Sequence, residues 1–93
     1  MIRSFVCNET ALIFKGKRSR KLPFDIQSRA LVKLQMLHAV PRLEVLATLR
    51  GNRLEALKGD RAGKHSIRVN DQWRICFVWS DGGAEQVEIT DYH

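Results

Sequence analysis

The hydrophobic pattern of this chain changes its period near Gly51. Before that residue, apolar side chains recur at spacings of three and four, and after it apolar and polar residues alternate. A period of about 3.6 is typical of a helix packed on one side, and a period of about 2 is typical of a strand. The pattern therefore predicts an α+β fold, with helices packed on one face of a mainly antiparallel, twisted β-sheet.

The first half predicts a short N-terminal strand and two to three helices. Residues 2–7 alternate well enough for the strand, and Asn8 or Thr10 is a suitable cap for a short first helix. Pro23 is well placed to open a second helix, because its fixed φ suits the first turn. That helix presents one apolar face, formed by Ile26, Ala30, Leu31, Leu34 and Leu37.

A third helical piece is predicted to begin at Leu43 and to end near residues 50–52. Four strands follow it, with turns short enough that neighbouring strands must be antiparallel. We place these strands at about 53–58, 65–70, 73–80 and 84–91.

The alternation assigns side chains to the two faces of the sheet. Along residues 73–80, one side carries the aromatic and apolar row Trp73, Ile75, Phe77 and Trp79, and the other side carries Arg74. An aromatic row at this period is typical of core packing. We therefore expect the helices to cover it and to leave Arg68 and Arg74 together on the open face.

Length and charge narrow the possible functions. The 93 residues suit a single domain over residues 1–93, and a formal charge of +6 favours a polyanionic partner. We find neither a signal-peptide pattern nor an apolar run that could span a membrane, and we expect a cytoplasmic protein. Cys7 and Cys76 stand apart from each other and from histidine, so the spacing favours no metal site.

Residues 15–21 carry five cations and no acid. Their Gly and Ser argue against a packed element, and we expect an exposed, mobile basic loop. Such a loop is either a solvated linker or an arm that contacts phosphates or a protein partner.

The richest candidate chemistry lies at the C-terminus. Asp91, Tyr92 and His93 combine a carboxylate, a ring that can stack on a base and an imidazole that exchanges protons near neutral pH. By strand alternation, however, Asp91 and His93 share a side with Val87 and Ile89. A twist or fraying at the strand end is therefore needed to bring His93 to the cationic face.

Four segments resemble HigB-type toxins of the RelE/ParE superfamily: LKGDRAG at 57–63, SIRVN at 66–70, WRI at 73–75 and the terminal DYH at 91–93. The opening MIRSF is also similar, so the resemblance spans nearly the whole chain. The combination of LKGDRxG with a terminal DYH is specific to that branch of the superfamily.

The resemblance implies a RelE-like fold and a toxin of a type II toxin-antitoxin pair that enters the ribosome and cuts mRNA in the decoding site. The implied partners are a HigA-like antitoxin with a helix-turn-helix domain and the 70S ribosome, whose 16S rRNA the basic surface would contact. Cleavage would need neither a metal nor a cofactor. The ribose 2′-hydroxyl would attack the adjacent phosphorus and leave a cyclic phosphate and a free 5′-hydroxyl.

The same resemblance implies roles for single residues. His93 and Asp91 would move protons, Tyr92 would position the nucleotide, and Arg74 with Lys58 would stabilise the phosphorane. The further candidates for RNA or phosphate binding are Arg61, Arg68 and His65.

The chain departs from the family pattern at Glu55, where a well-studied form of the motif has a histidine. Glu55 could act as a base, but its negative charge would lie near a polyanion. We therefore expect either weaker cleavage or a greater dependence on His93.

Two other functions stay open. A ParE-like member of the superfamily would poison DNA gyrase and would not need the Asp91–His93 motif, so substitution of His93 would leave its toxicity unchanged. A non-catalytic module that binds RNA or the antitoxin would keep the basic groove and would produce no new RNA ends.

Overall fold

The structure is a computed structural model that describes residues 1–49 and 51–91, and these form three α-helices and one four-stranded sheet. The helices are α1 (Asn8–Phe14), α2 (Phe24–Ala39) and α3 (Leu43–Thr48). The strands are β1 (Glu55–Ala56), β2 (His65–Arg68), β3 (Trp73–Ser80) and β4 (Gly83–Asp91). They lie in the order β1-β2-β3-β4 with all neighbours antiparallel, which confirms the predicted α+β architecture.

Helix α2 supplies the helical side of the core. It begins one residue after Pro23, as the sequence predicts, and its buried apolar residues follow the expected spacing. Leu34 and Leu37 are completely buried, and burial of each such side chain contributes roughly 1.5–3 kcal/mol. On the sheet they meet a buried apolar set that includes Ile67, Ile75, Phe77, Val87 and Ile89.

The predicted division of the sheet into a packed and an open face is confirmed. Ile75 and Phe77 have no exposed surface, and Trp73 and Trp79 pack against the same core. The aromatic row of β3 is therefore part of the hydrophobic core, and Arg74 lies on the other side of the strand. Within residues 1–49 and 51–91, no helix is both long and apolar enough to span a membrane.

The N-terminal segment does not form the predicted strand at 2–7. It runs parallel to β4 and makes two isolated bridges, Ile2 with Ala84 and Phe5 with Val87. A bulge in β4 separates them, where Gln86 has a φ of 53° and donates its N–H to Ser4 Oγ at 2.9 Å. Because the bulge interrupts the hydrogen-bond ladder, a continuous strand cannot form.

Two strands are shorter than the sequence predicts. Arg53, placed in the first predicted strand, has a φ of 45°, and β1 is reduced to two residues. Strand β2 ends at Arg68 because the N–H groups of Val69 and Asn70 both donate to the carbonyl of Trp73. The side chain of Asn70 completes this tight turn by accepting from the N–H groups of Gln72 and Trp73.

The basic loop at residues 15–21 is anchored at its centre, so the prediction of a wholly exposed, mobile loop is wrong for Ser19. Ser19 is only 3% exposed, and its backbone N–H and C=O both bond to the amide of Gln27 on α2. Its hydroxyl donates to Glu9 of α1 at 2.6 Å. The five cations around it are exposed, as predicted.

Candidate active site

Strand register gathers polar residues into two rows on the open face of the sheet. Side chains directly opposite each other on antiparallel strands project to the same face. One row therefore joins Glu55, Ser66 and Cys76, and the next joins Arg68, Arg74 and Thr90. This pairing places Glu55 on the same face as Arg74, an orientation that the sequence alone left uncertain.

Arg74 is held by three acceptors. Its Nε donates to Ser66 Oγ at 2.7 Å, and its Nη2 donates to the carbonyl oxygens of Ser66 and Arg53. The Arg53 carbonyl belongs to a residue in the left-handed region, which costs a non-glycine residue roughly 1 kcal/mol or more. The fold thus fixes this guanidinium group in one orientation, which is the condition for stabilising charge in a transition state.

Arg61 reaches the same face from the turn that contains LKGDRAG. This turn is a short 3₁₀ helix, Gly59–Arg61, and Leu57 anchors its start by burial and by an N–H bond to the Lys64 carbonyl at 2.9 Å. Arg61 Nη1 lies 3.8 Å from Sγ of the buried Cys76. Since Cys76 lies opposite Ser66, the guanidinium groups of Arg61 and Arg74 are held on adjacent residues of one row.

Lys58 is exposed directly before that 3₁₀ helix, with its backbone fixed by the Arg61 N–H that donates to the Lys58 carbonyl. Arg68 lies directly opposite Arg74 and forms an ion pair with the exposed Asp71. The hydrogen bond from Arg68, reinforced by its charge, lowers the pKa of Asp71. Asp71 therefore stays ionised and occupies one side of the Arg68 guanidinium.

His65 does not lie with these cations. It is paired with Phe77 across the strands, and its ring stacks on that of Phe77 at 6.2 Å on the helix side of the sheet. Among the described residues, its Nδ1 is buried without a hydrogen-bond partner. Strand alternation in the sequence already indicates this position, because His65 falls on the same side of the strand as Ile67 and Val69.

Asp91 lies at the end of β4, opposite Trp73, and accepts a hydrogen bond from Gln72 Nε2 at 3.1 Å. The alternation that groups it with Val87 and Ile89 is confirmed, since Ile89 pairs with the core residue Ile75. Thr90, one residue earlier, lies opposite Arg74. Tyr92 and His93, which carry the rest of the predicted motif, lie outside the described residues.

Two contributors to the site were missed by sequence reasoning. Ser66 is completely buried and holds Arg74. The sequence indicates this role only by placing a small polar residue on the open face. Arg53 contributes a backbone carbonyl, which no side-chain pattern could reveal. Within the described ranges, no three His, Cys, Asp or Glu side chains are grouped in a way that could hold a metal ion.

Comparison with known proteins adds a family to this geometry. A family model described as the RelE-like toxin of the type II toxin-antitoxin system HigB matches residues 10–93. Toxin HigB-1 of Vibrio cholerae serotype O1 is 43% identical over 68 residues, which cover 73% of this chain and 72% of that toxin. Endoribonuclease HigB of Proteus vulgaris is 32% identical over 93 residues, which cover the full length of both proteins.

Proposed function

Because this chain belongs to the family of RelE-like HigB toxins of type II toxin-antitoxin systems, we propose that it is an endoribonuclease that cuts mRNA on the ribosome. The name of the Proteus vulgaris relative states endoribonuclease activity for that protein, and the match extends over both whole chains. The single observation that carries the proposal is the fixed guanidinium of Arg74 on the open face, with Arg61 beside Cys76 on the same face.

In the proposed reaction, the ribose 2′-oxygen attacks the adjacent phosphorus and the bond from phosphorus to the 5′-oxygen breaks. A base takes the proton of the 2′-hydroxyl, and an acid gives a proton to the leaving 5′-oxygen. The products are a 2′,3′-cyclic phosphate and a 5′-hydroxyl. Arg74, with Arg61 and Lys58, stabilises the charge on the phosphorane oxygens, for which planar guanidinium groups are well suited.

The proton transfers are assigned to Glu55, Asp91 and His93, with Tyr92 positioning the nucleotide. Glu55 is a suitable base because it lies across from Ser66, the residue that holds Arg74. The nearby cations offset the repulsion between its carboxylate and the phosphate. His93 then serves as the acid, and Asp91 orients its imidazole.

Glu55→Gln tests the proposed base while keeping the size of the side chain. We expect the cleavage rate to fall by roughly a hundredfold, because general acid-base catalysis contributes about 10²–10⁴. Glu88→Gln is a matched control, since Glu88 pairs with Cys76 on the same face but on the strand farther from β1. Equal cleavage rates for Glu55→Gln and wild type would show that a group other than Glu55 acts as the base.

The partners follow from the family and from the substrate. A type II toxin has an antitoxin, and we infer that this one is HigA-like, with a helix-turn-helix domain. The ribosome would present the mRNA, and the exposed cations of residues 15–21 are available for contacts with 16S rRNA. Translation on 70S ribosomes places this activity in the cytoplasm.

Mapping the 5′ ends of a reporter mRNA in a purified translation system tests the function. Wild type, His93→Ala and a reaction without ribosomes are compared, and Arg42→Gln controls for the loss of a cation. Cuts within codons that require both ribosomes and His93 are the expected result. Intact mRNA with a folded, toxic protein would contradict the proposal and would direct attention to DNA gyrase.

A further inference from the structure

The completely buried Asn52 joins helix α2 to the end of strand β2. Its Oδ1 accepts a hydrogen bond from Lys33 Nζ at 2.6 Å, and its carbonyl oxygen accepts one from the N–H of Arg68 at 2.6 Å. Its Nδ2 donates to the carbonyl of Leu46 on α3 at 3.1 Å. Asn52 therefore holds the ammonium group of Lys33 close to Arg68.

Arg29 adds a third cation to this region. It lies four residues before Lys33 on α2, which puts both side chains on one face of the helix. Partial burial, together with the charges of Arg68 and Arg29, lowers the pKa of Lys33. The charges of Arg29 and Arg68 are thus close enough to Lys33 to repel its ammonium group.

No carboxylate in the described part of the chain is paired with Arg29 or Lys33 to offset this repulsion. The salt bridges within residues 1–49 and 51–91 involve neither of them. Arg68 is paired with Asp71, whose side chain is almost fully exposed and can be displaced. The Lys33 ammonium group, with a guanidinium group near it on each of two elements and one removable carboxylate, forms a suitable site for an anion with several oxygen atoms.

We propose that Arg29, Lys33 and Arg68 form a second phosphate-binding site, which takes a backbone phosphate of RNA. The inference rests on the proposed function in one respect, namely that RNA is the substrate of the adjacent face. Arg68 lies directly opposite Arg74, so the second site continues the cationic surface of the candidate active site around the end of the sheet. A bound phosphate would replace Asp71 on Arg68 and relieve the repulsion around Lys33.

Two kinds of RNA could supply that phosphate, namely the single-stranded mRNA or a helical segment of ribosomal RNA. Binding of a fluorescent 2′-O-methyl single strand and of a 2′-O-methyl hairpin of the same composition distinguishes them. Neither probe carries the attacking 2′-hydroxyl, so no cleavage takes place. Failure of the proposed nuclease activity and failure of this site are therefore separate outcomes.

The informative variant is Arg29→Gln, because Arg29 is exposed and the described structure gives it no salt bridge. We expect its affinity for at least one probe to fall roughly two- to fivefold at low salt, the size typical of an exposed ion pair. The slope of log affinity against log salt should also fall by about 1, as for the loss of one phosphate contact. Lys33→Gln should also lower the affinity, but this variant is less informative because it removes the hydrogen bond from Lys33 to Asn52 as well.

Arg42→Gln is the matched control. It removes the same charge near the opposite end of the sheet, where the carbonyl of the preceding Pro41 lies against the β3–β4 turn. If Arg29→Gln loses affinity for the single strand, mRNA is the source of the phosphate. If it loses affinity for the hairpin, helical RNA is the source. Equal effects of Arg29→Gln and Arg42→Gln on both probes would overturn the proposal, as would a wild-type protein that binds neither probe.

Discussion

At the scale of single residues, the orientation of Arg74 depends on Ser66. The serine hydroxyl is the partner of Arg74 Nε, and Ser66 is completely buried. A guanidinium held in advance loses little orientational freedom when charge develops on a phosphate. The position of Ser66 thus links the register of the sheet to the chemistry of the site.

Ser66→Ala should lower the single-turnover cleavage rate roughly ten- to a hundredfold, with little change in KM, because one charge-assisted hydrogen bond is worth about 1.5–3 kcal/mol. Thr10→Val is the matched control, since the buried Thr10 hydroxyl belongs to helix α1 and accepts a bond from the Ile89 N–H. It should lower the melting temperature without lowering the rate. A rate loss no larger for Ser66→Ala than for Thr10→Val would show that Ser66 has only a structural role.

The ion pair between Asp71 and Arg68 makes the stability of the fold depend on pH. Because Arg68 depresses the pKa of Asp71 in the folded protein, this pair stabilises the fold above the unfolded value of about 3.8. That contribution to stability is lost as the pH falls through the lower pKa that Asp71 has in the folded protein. Asp71→Asn should remove this part of the pH dependence, which thermal unfolding across acidic pH would measure.

The same substitution should strengthen binding of the 2′-O-methyl RNA at neutral pH by roughly two- to fivefold, since it frees Arg68 and removes a negative charge. Asp81→Asn serves as the control, because Asp81 lies at the opposite end of β3. Weaker binding by Asp71→Asn than by wild type would contradict a phosphate-binding role for Arg68.

At the scale of elements, the sequence predicts α2, β3 and β4 well because each has a clear period and a strong break. It fails where the backbone is decided by contacts between distant residues. The N-terminal segment becomes two bridges because of a bulge at Gln86, and the first strand is shortened by the left-handed Arg53. No local pattern of apolar residues contains either feature.

In the candidate site, too, local patterns predict some features, and contacts between distant residues decide the others. Arg68 and Arg74 were placed on one face by alternation alone, and the register confirms it. Glu55 required knowledge of its pairing with Ser66, because β1 is too short to show a period. The loop at residues 15–21 was expected to be free because its composition is polar, yet the hydrogen bonds of Ser19 to Gln27 hold it to α2.

Gln27→Ala should release this loop. Gln27 is 7% exposed and bonds to the backbone of Ser19 and Leu22, so its truncation should cost about 1–3 kcal/mol. Trypsin should then cut within residues 15–21 faster than in wild type. Gln35→Ala, an exposed position on the same helix, is the control and should leave the cutting rate unchanged. Equal cutting of the two variants would show that the loop is held by other contacts.

At the scale of the whole molecule, the two faces of the sheet have separate tasks. The helix side is filled by the apolar core and provides stability. The open side collects Glu55, Arg61, Arg68 and Arg74 around two buried small residues, Ser66 and Cys76. A net charge of +6 attracts RNA in general, and the fixed guanidinium groups give that attraction a definite place.

We propose that RNA is cut on the open face of the sheet, and the single-turnover cleavage rate of Arg74→Gln on mRNA-loaded ribosomes is the most direct test. Arg42→Gln, measured alongside, has the same loss of charge. We expect the rate to fall about a hundredfold or more for Arg74→Gln, which is typical of removing a donor to transition-state charge, and to stay close to wild type for Arg42→Gln. A folded Arg74→Gln protein that cuts at the wild-type rate would show that the open face is not the site of cleavage.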